Sequence, residues 1–177
     1  VFFAQPHVPS RKLVDHSPLT LICLAADTGQ ELWRKVCADW SYTTCLNVYA
    51  ARGLIWAHAA GREEKFDLLG MDPKNGDVKV RHNLRPILAT SHHHRCYRNR
   101  ATEKYLLTSR TGIEFVDFRK HHWTCHHWVR GACLYGIMPA NGMVYNPPHP
   151  CACYLEAKLY GFNALASHSP FRQKIID

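Results

Sequence analysis

One strand–turn–strand motif recurs along this chain, and it limits the fold more than any other feature. Leu21 to Trp33 carries an apolar run, a turn around Asp27-Thr28-Gly29 and a second run. Leu68 to Val80 repeats the shape around Pro73-Lys74-Asn75-Gly76, and Tyr105 to Val116 repeats it around Gly112. Tyr154 to Leu165 is a fainter copy around Gly161, so the turn glycines stand 47, 36 and 49 residues apart. Glycine in such a turn supplies a positive φ at little steric cost. Alternating apolar residues after it pair the second strand back onto the first.

The stretches between these turns are strand-like too. Leu46 to Ala50 and Gly53 to Ala57 flank Ala51-Arg52, and Ile137-Met138 and Met143 to Tyr145 flank Pro139-Ala140-Asn141-Gly142. Asn-Gly between apolar runs is a strong hairpin signal. No long segment of 3.6-residue period competes, so the expectation is an all-β chain with little helix. Four-strand repeats of about 40 to 50 residues are the signature of propeller blades. The 177 residues make one domain of about four such units, at approximately 15–60, 61–100, 101–140 and 141–177. A sandwich of short strands is the alternative, and recurrence of one turn favours the propeller.

With 46% hydrophobic and 20% charged residues, the chain is not a disordered tail. The longest apolar stretch, 19–26, falls short of the roughly 18 residues a spanning helix needs. A net charge of +8 points to an anionic small molecule or an acidic polysaccharide as partner. The densest basic cluster, Arg95, Arg98, Arg100 and Lys104, surrounds Tyr97, a pattern that also suits nucleic acid. No nucleic-acid-binding motif accompanies it, which argues against that partner.

Thirteen His and eight Cys are the chain's compositional excess. An even number of Cys is compatible with disulfides and an extracytoplasmic home. Cys23, inside an apolar run, reads as a small buried hydrophobe. Residues two apart on a strand share a face. His92-x-His94-x-Cys96 and His149-x-Cys151-x-Cys153 therefore each line up three ligands of the kind zinc and copper prefer. Cys125-x-His127 is a smaller instance. Disulfides among Cys96, Cys133, Cys151 and Cys153 are the competing reading, and thiolates cannot serve both purposes.

Catalytic motifs are sparse. There is no Gly-x-Ser-x-Gly, no His-Glu-x-x-His, no phosphate-binding loop and no Cys-x-x-Cys-His. What remains is a polar cluster of His126, His127, Arg130, Tyr135 and His149, with Asn141 and Tyr145 nearby. In a lyase acting on an acidic sugar, Arg would neutralise the carboxylate while His or Tyr moved protons. That enzyme is the alternative to a binding or scaffold module.

Ala26-Asp27-Thr28-Gly29-Gln30-Glu31-Leu32-Trp33 and Met71-Asp72-Pro73-Lys74-Asn75-Gly76 resemble the repeats of quinoprotein-like (PQQ-repeat) β-propellers. The stretch from Cys96 to Leu165, with Arg130 to Gly136 and Pro147 to Tyr154, resembles the C-terminal part of secreted bacterial propellers of this kind. The resemblance implies a periplasmic or secreted bacterial protein in which a Trp at the place of Trp33 docks between neighbouring blades. Val80 and Phe115 stand near that place in later copies. Active dehydrogenases of the family carry an adjacent Cys-Cys pair near the quinone, which this chain lacks, so PQQ is not expected and a PQQ-dependent dehydrogenase ranks third, after the binding module and a metal-assisted lyase. Four units imply a small ring, a part of a seven- or eight-bladed propeller, or a half completed by a second copy or by a longer parent chain.

Overall fold

The computed structural model describes residues 2–6, 19–38, 47–60, 64–88, 97–109, 111–148 and 159–168. Among these residues there are fourteen strands, one 3-10 turn of three residues (Glu64–Phe66) and one α-helical turn of four residues, α1 (Arg85–Leu88). The chain is all-β, as its patterning requires. The strands form three antiparallel sheets, none of them closed.

The first sheet has seven strands: β1 (Phe2–Pro6), β2 (Leu19–Leu24), β3 (Glu31–Ala38), β4 (Tyr49–Ala51), β5 (Leu54–Ala59), β6 (Asp67–Met71) and β7 (Val78–Asn83). It contains two meanders, β1-β2-β3 and β4-β5-β6-β7, joined only where Cys37 and Ala38 pair with Ala59 and His58. The second sheet is a four-stranded meander of β8 (Arg100–Ala101), β9 (Tyr105–Thr108), β10 (Ile113–Asp117) and β11 (Trp123–His126). The third holds β12 (Met138–Ala140), β13 (Met143–Asn146) and β14 (Asn163–Ala166). Four successive meanders thus span 2–38, 49–83, 100–126 and 138–166.

Turn chemistry explains the internal order of a meander. In the second and fourth meanders the first two strands meet at a tight turn: Arg52-Gly53 (φ 57° and 71°) between β4 and β5, and Asn141-Gly142 (φ 52° and 73°) between β12 and β13. Two successive positive φ values give the turn whose twist matches the flanking strands. In the first and second meanders the last two strands meet at a six-residue loop. In one copy Ala25 N donates to Gln30 O at 2.8 Å and Gly29 N to Ala25 O at 3.0 Å. In the next, Asp72 N donates to Asp77 O and Gly76 N to Asp72 O, both at 2.8 Å. Gly29 and Gly76 share φ near 70° (72° and 75°), and the register shifts at Cys23/Leu24 in one hairpin and at Gly70/Met71 in the other. These two hairpins are one structural unit used twice.

The third copy lies elsewhere than its glycine suggests. The equivalent closing bond runs from Asp117 N to His122 O at 3.0 Å, so the third loop is Asp117 to His122 and contains no glycine. Gly112 connects β9 to β10, one hairpin earlier, and does not have a positive φ. It is glycine for another reason: a Cβ there would stand 2.6 Å from the His126 carbonyl and 2.7 Å from His127 Cα. Gly161 does have a positive φ of 80°, but it precedes β14, and residues 151–158 of that copy lie outside the described residues.

Three hydrophobic clusters fill the three seams between successive meanders. Leu19, Leu21, Cys23, Trp33 and Cys37 meet Ile55, Ala57, Leu69 and Met71 in the first. Trp56, Phe66 and Leu68 meet Leu106, Val116 and Phe118 in the second. Leu107 and Ile113 meet Ile137 and Val144 in the third. Neighbouring residues of one strand go to opposite seams, as a period of two requires. Leu69 and Leu68 divide this way, and so do Leu107 and Leu106. The middle meanders are covered on both faces, which is why their strands read as continuous apolar runs.

His58 on β5 is 1% exposed, and burial holds its imidazole down to about 4. The folded protein therefore binds this proton less readily than the unfolded chain does, so stability rises with pH and is complete above about 6.5. Lowering the pH from 7 to 5 removes about 2 kcal/mol through this residue alone. Urea unfolding of the native chain and of His58→Leu across that range checks it. The native chain is expected to show the steeper loss, and equal slopes would refute the assignment.

Candidate functional site

A cavity of about 700 Å³ opens between the β8–β11 sheet and the β12–β14 sheet. Its floor alternates out of the strands: Tyr105 and Leu107 from β9, Ile113 and Phe115 from β10, Thr124 and His126 from β11. The facing wall is the β12–β13 turn with Leu165 to His168. Phe115 organises the floor. Its ring meets Tyr105 edge-on at 5.7 Å and His126 edge-on at 5.3 Å. Lys104 Nζ lies 4.8 Å from the centroid of the Tyr105 ring. Among the described residues, Lys104, His126 and His168 are the basic groups of the lining, and none of the lining residues is acidic.

The sequence-predicted polar cluster is divided by the fold. His126 lines this cavity, as does Asn141. His127, next along the chain, turns the other way, with Nε2 3.5 Å from Glu114 Oε1. Arg130 is fully buried, and its Nη1 donates to the carbonyls of Ser109 at 2.8 Å and Thr111 at 3.1 Å. Its guanidinium also lies over the Tyr97 ring at 5.8 Å. Tyr135 is 77% exposed in the turn before Gly136. Tyr145 packs against Phe162, at 6.2 Å.

Glu114 and Arg130 together hold the β9–β10 turn. The Glu114 carboxylate accepts from Thr108 Oγ1 at 2.8 Å and from the backbone N–H groups of Thr111 at 3.1 Å and Gly112 at 3.4 Å. Tyr97 Oη donates to the Gly112 carbonyl at 3.2 Å. A turn buried away from water must have its backbone groups satisfied from the protein. These side chains do that for both the N–H and the C=O sides of the loop.

The proposed metal ligands His92, His94, Cys96, His149, Cys151 and Cys153 lie outside the described residues, as does the candidate acid–base residue His149. Among the described residues no three His, Cys, Asp or Glu side chains are gathered as metal ligands. Cys23 and Cys37 are buried free thiols, and burial pushes Cys37 up to about 12. Cys125 and Cys133 are exposed.

A second arrangement, of which the sequence reading singled out only Trp33, links the meanders. Trp33 Nε1 donates to the Pro73 carbonyl at 2.9 Å, and Lys35 Nζ donates to the Gly76 carbonyl at 3.0 Å. One seam further on, His82 Nε2 donates to the Phe118 carbonyl at 3.1 Å. Pro73 and Phe118 are the same position of their loops, directly after the residue whose N–H closes the turn. In each case the last strand of one meander clasps the loop of the next. His82 is stacked between Trp56 at 5.8 Å and His121 at 6.0 Å, with interplanar angles of 3° and 4°.

No protein-family model matches the chain, and no curated protein matches it.

Proposed function

We propose that the chain is a propeller-type binding and scaffold module, extracytoplasmic, with PQQ-repeat-like units and a ligand groove in its C-terminal half. Four consecutive meanders, face-to-face seams and a repeated strand-to-loop clasp support the propeller reading. The place of Trp33 in the seam between the first two meanders supports the PQQ-repeat reading. The groove between the last two meanders carries the binding reading. Its volume suits a small molecule. Its aromatic floor favours an apolar or aromatic body, and its three basic groups with no acidic one favour an anionic end.

Anilinonaphthalene sulfonate, an aromatic anion, is a direct probe. Saturable binding to the folded chain is expected, weakened about tenfold by Lys104→Gln combined with His126→Ala, the loss of one charge-assisted contact. Trp128→Ser, on exposed surface away from the groove lining, is expected to leave it unchanged. Dye binding that ignores the groove substitutions overturns the assignment.

A further inference from the structure

Strand register orders the floor of the groove. Ile113 faces His126, Phe115 faces both Leu107 and Thr124, and Asp117 faces Tyr105. The β10–β11 loop, residues 117–122, therefore begins at the Tyr105 end of the floor. Phe118 N donates to the Lys104 carbonyl at 3.1 Å, which ties this loop to a residue of the groove lining. Lys104, Arg119 and Lys120 are all exposed.

Asp117 gathers these cations into one patch. Its carboxyl is held below the usual carboxylate range first by the Arg119 N–H, which donates to Oδ1 at 2.7 Å. The Lys120 N–H and the charges of Lys104 and Lys120 act in the same direction. The Lys104 ammonium is held above its ordinary value chiefly by its hydrogen bond with the Tyr105 side chain, and it also feels the charges of Asp117 and Arg119. Three cations around one carboxylate leave the patch positive. Glu103, the neighbouring acid, is turned to Arg52, whose backbone N–H its Oε1 accepts at 2.8 Å.

We propose that the groove and this patch form one continuous site for an acidic polysaccharide, a uronate polymer, with one sugar ring in the groove and the carboxylates of the next units along Lys104, Arg119 and Lys120. The inference rests on the groove as a binding site and adds the class of its ligand. A sugar ring offers a C–H face to Phe115 and hydroxyls to the neutral polar groups of the lining, Thr102, Thr124, Asn141 and Ser167. Its carboxylates match the ammonium and guanidinium groups. A nucleic acid would need ring faces beside the cations on which to stack its bases. The rings nearest the patch are engaged within the protein: Tyr105 with Lys104 and Phe115, and Trp123 with His121 at 5.5 Å.

Fluorescence anisotropy of labelled polygalacturonate, with anilinonaphthalene sulfonate as reporter of the groove, tests the proposal. The polymer is expected to bind, to displace the dye and to weaken with added salt. Arg119→Gln combined with Lys120→Gln is expected to weaken the polymer about tenfold and to change dye binding by about twofold or less. Circular dichroism is expected to be unchanged, because the loop is held by the backbone groups Arg119 N and Lys120 O. Dye binding without polymer binding, or polymer binding that ignores these substitutions, overturns the proposal and leaves the groove reading intact. Polymer that binds without displacing the dye overturns the continuity of the site. An oligothymidylate that binds more tightly than an oligogalacturonate of equal charge overturns the choice of polysaccharide. A native chain that does not bind the dye is the separate failure of the groove reading, and this inference falls with it.

Discussion

Replacing Trp33 by Ala is expected to lower the unfolding free energy by about 4 kcal/mol, the range seen when a buried Trp is truncated. Three effects combine. The indole is 8% exposed and belongs to the first seam, so its removal leaves a cavity between the first two meanders. It also covers Gly76, where no side chain fits beneath the ring. Finally its N–H satisfies the Pro73 carbonyl, whose remaining contact is the weak one from Cys23 Sγ at 3.7 Å. Trp33→Phe separates these effects. It retains most of the ring and loses the donor, so about 1 kcal/mol is expected. Whole domains are stable by only about 5–15 kcal/mol, so the Ala variant is expected to sit near the edge of folding. Denaturant unfolding followed by far-ultraviolet circular dichroism measures both. A loss under about 1 kcal/mol for Trp33→Ala would mean that the seam does not depend on the clasp.

Gly29 and Gly76 were legible in the sequence because a positive φ restricts the residue as well as the backbone. The third loop, Asp117 to His122, closes with the same hydrogen bond and has no glycine to announce it. A search by letter therefore settles on Gly112, which is constrained by the approach of His126 and not by its dihedral angles. The apolar runs were legible as strands, but their division between seams was not. Leu68-Leu69 shows no alternation because both faces are covered. The groove was legible only in part. His126 and Asn141 were singled out as polar residues in a short span, whereas Tyr105, Phe115 and His168 reach the same cavity from other strands. Residues distant in sequence are brought together by sheet packing, which carries no local pattern. Chemical type alone also could not separate His126 from His127. His126, the last residue of β11, faces the groove, and His127, the first of the turn that follows, lies against Glu114.

Arg130 is the residue whose letter and location disagree most, and its substitution has the second large expected effect. Arg130→Ala is expected to destabilise the fold by about 3 kcal/mol, in the range for disrupting a buried polar network. The guanidinium is fully buried and bonds two carbonyls of one turn, Ser109 and Thr111. Without it those acceptors lose a donor inside the protein, and unsatisfied buried groups cost about 1–3 kcal/mol each. The stem also packs by the Tyr97 ring, whose hydroxyl holds the Gly112 carbonyl of the same turn. Arg130→Lys is expected to recover little. An ammonium is a compact, strongly hydrated point charge that costs more to bury, and it lacks the planar group that lies over the Tyr97 ring. For a chain of this size the Ala variant should melt about 6–12 °C lower. A side chain that served only to neutralise a substrate carboxylate would behave otherwise: its removal would leave the melting temperature unchanged while abolishing turnover. A thermal melt of Arg130→Ala therefore decides between a structural strut and a catalytic cation, and an unshifted melt would return Arg130 to the lyase reading.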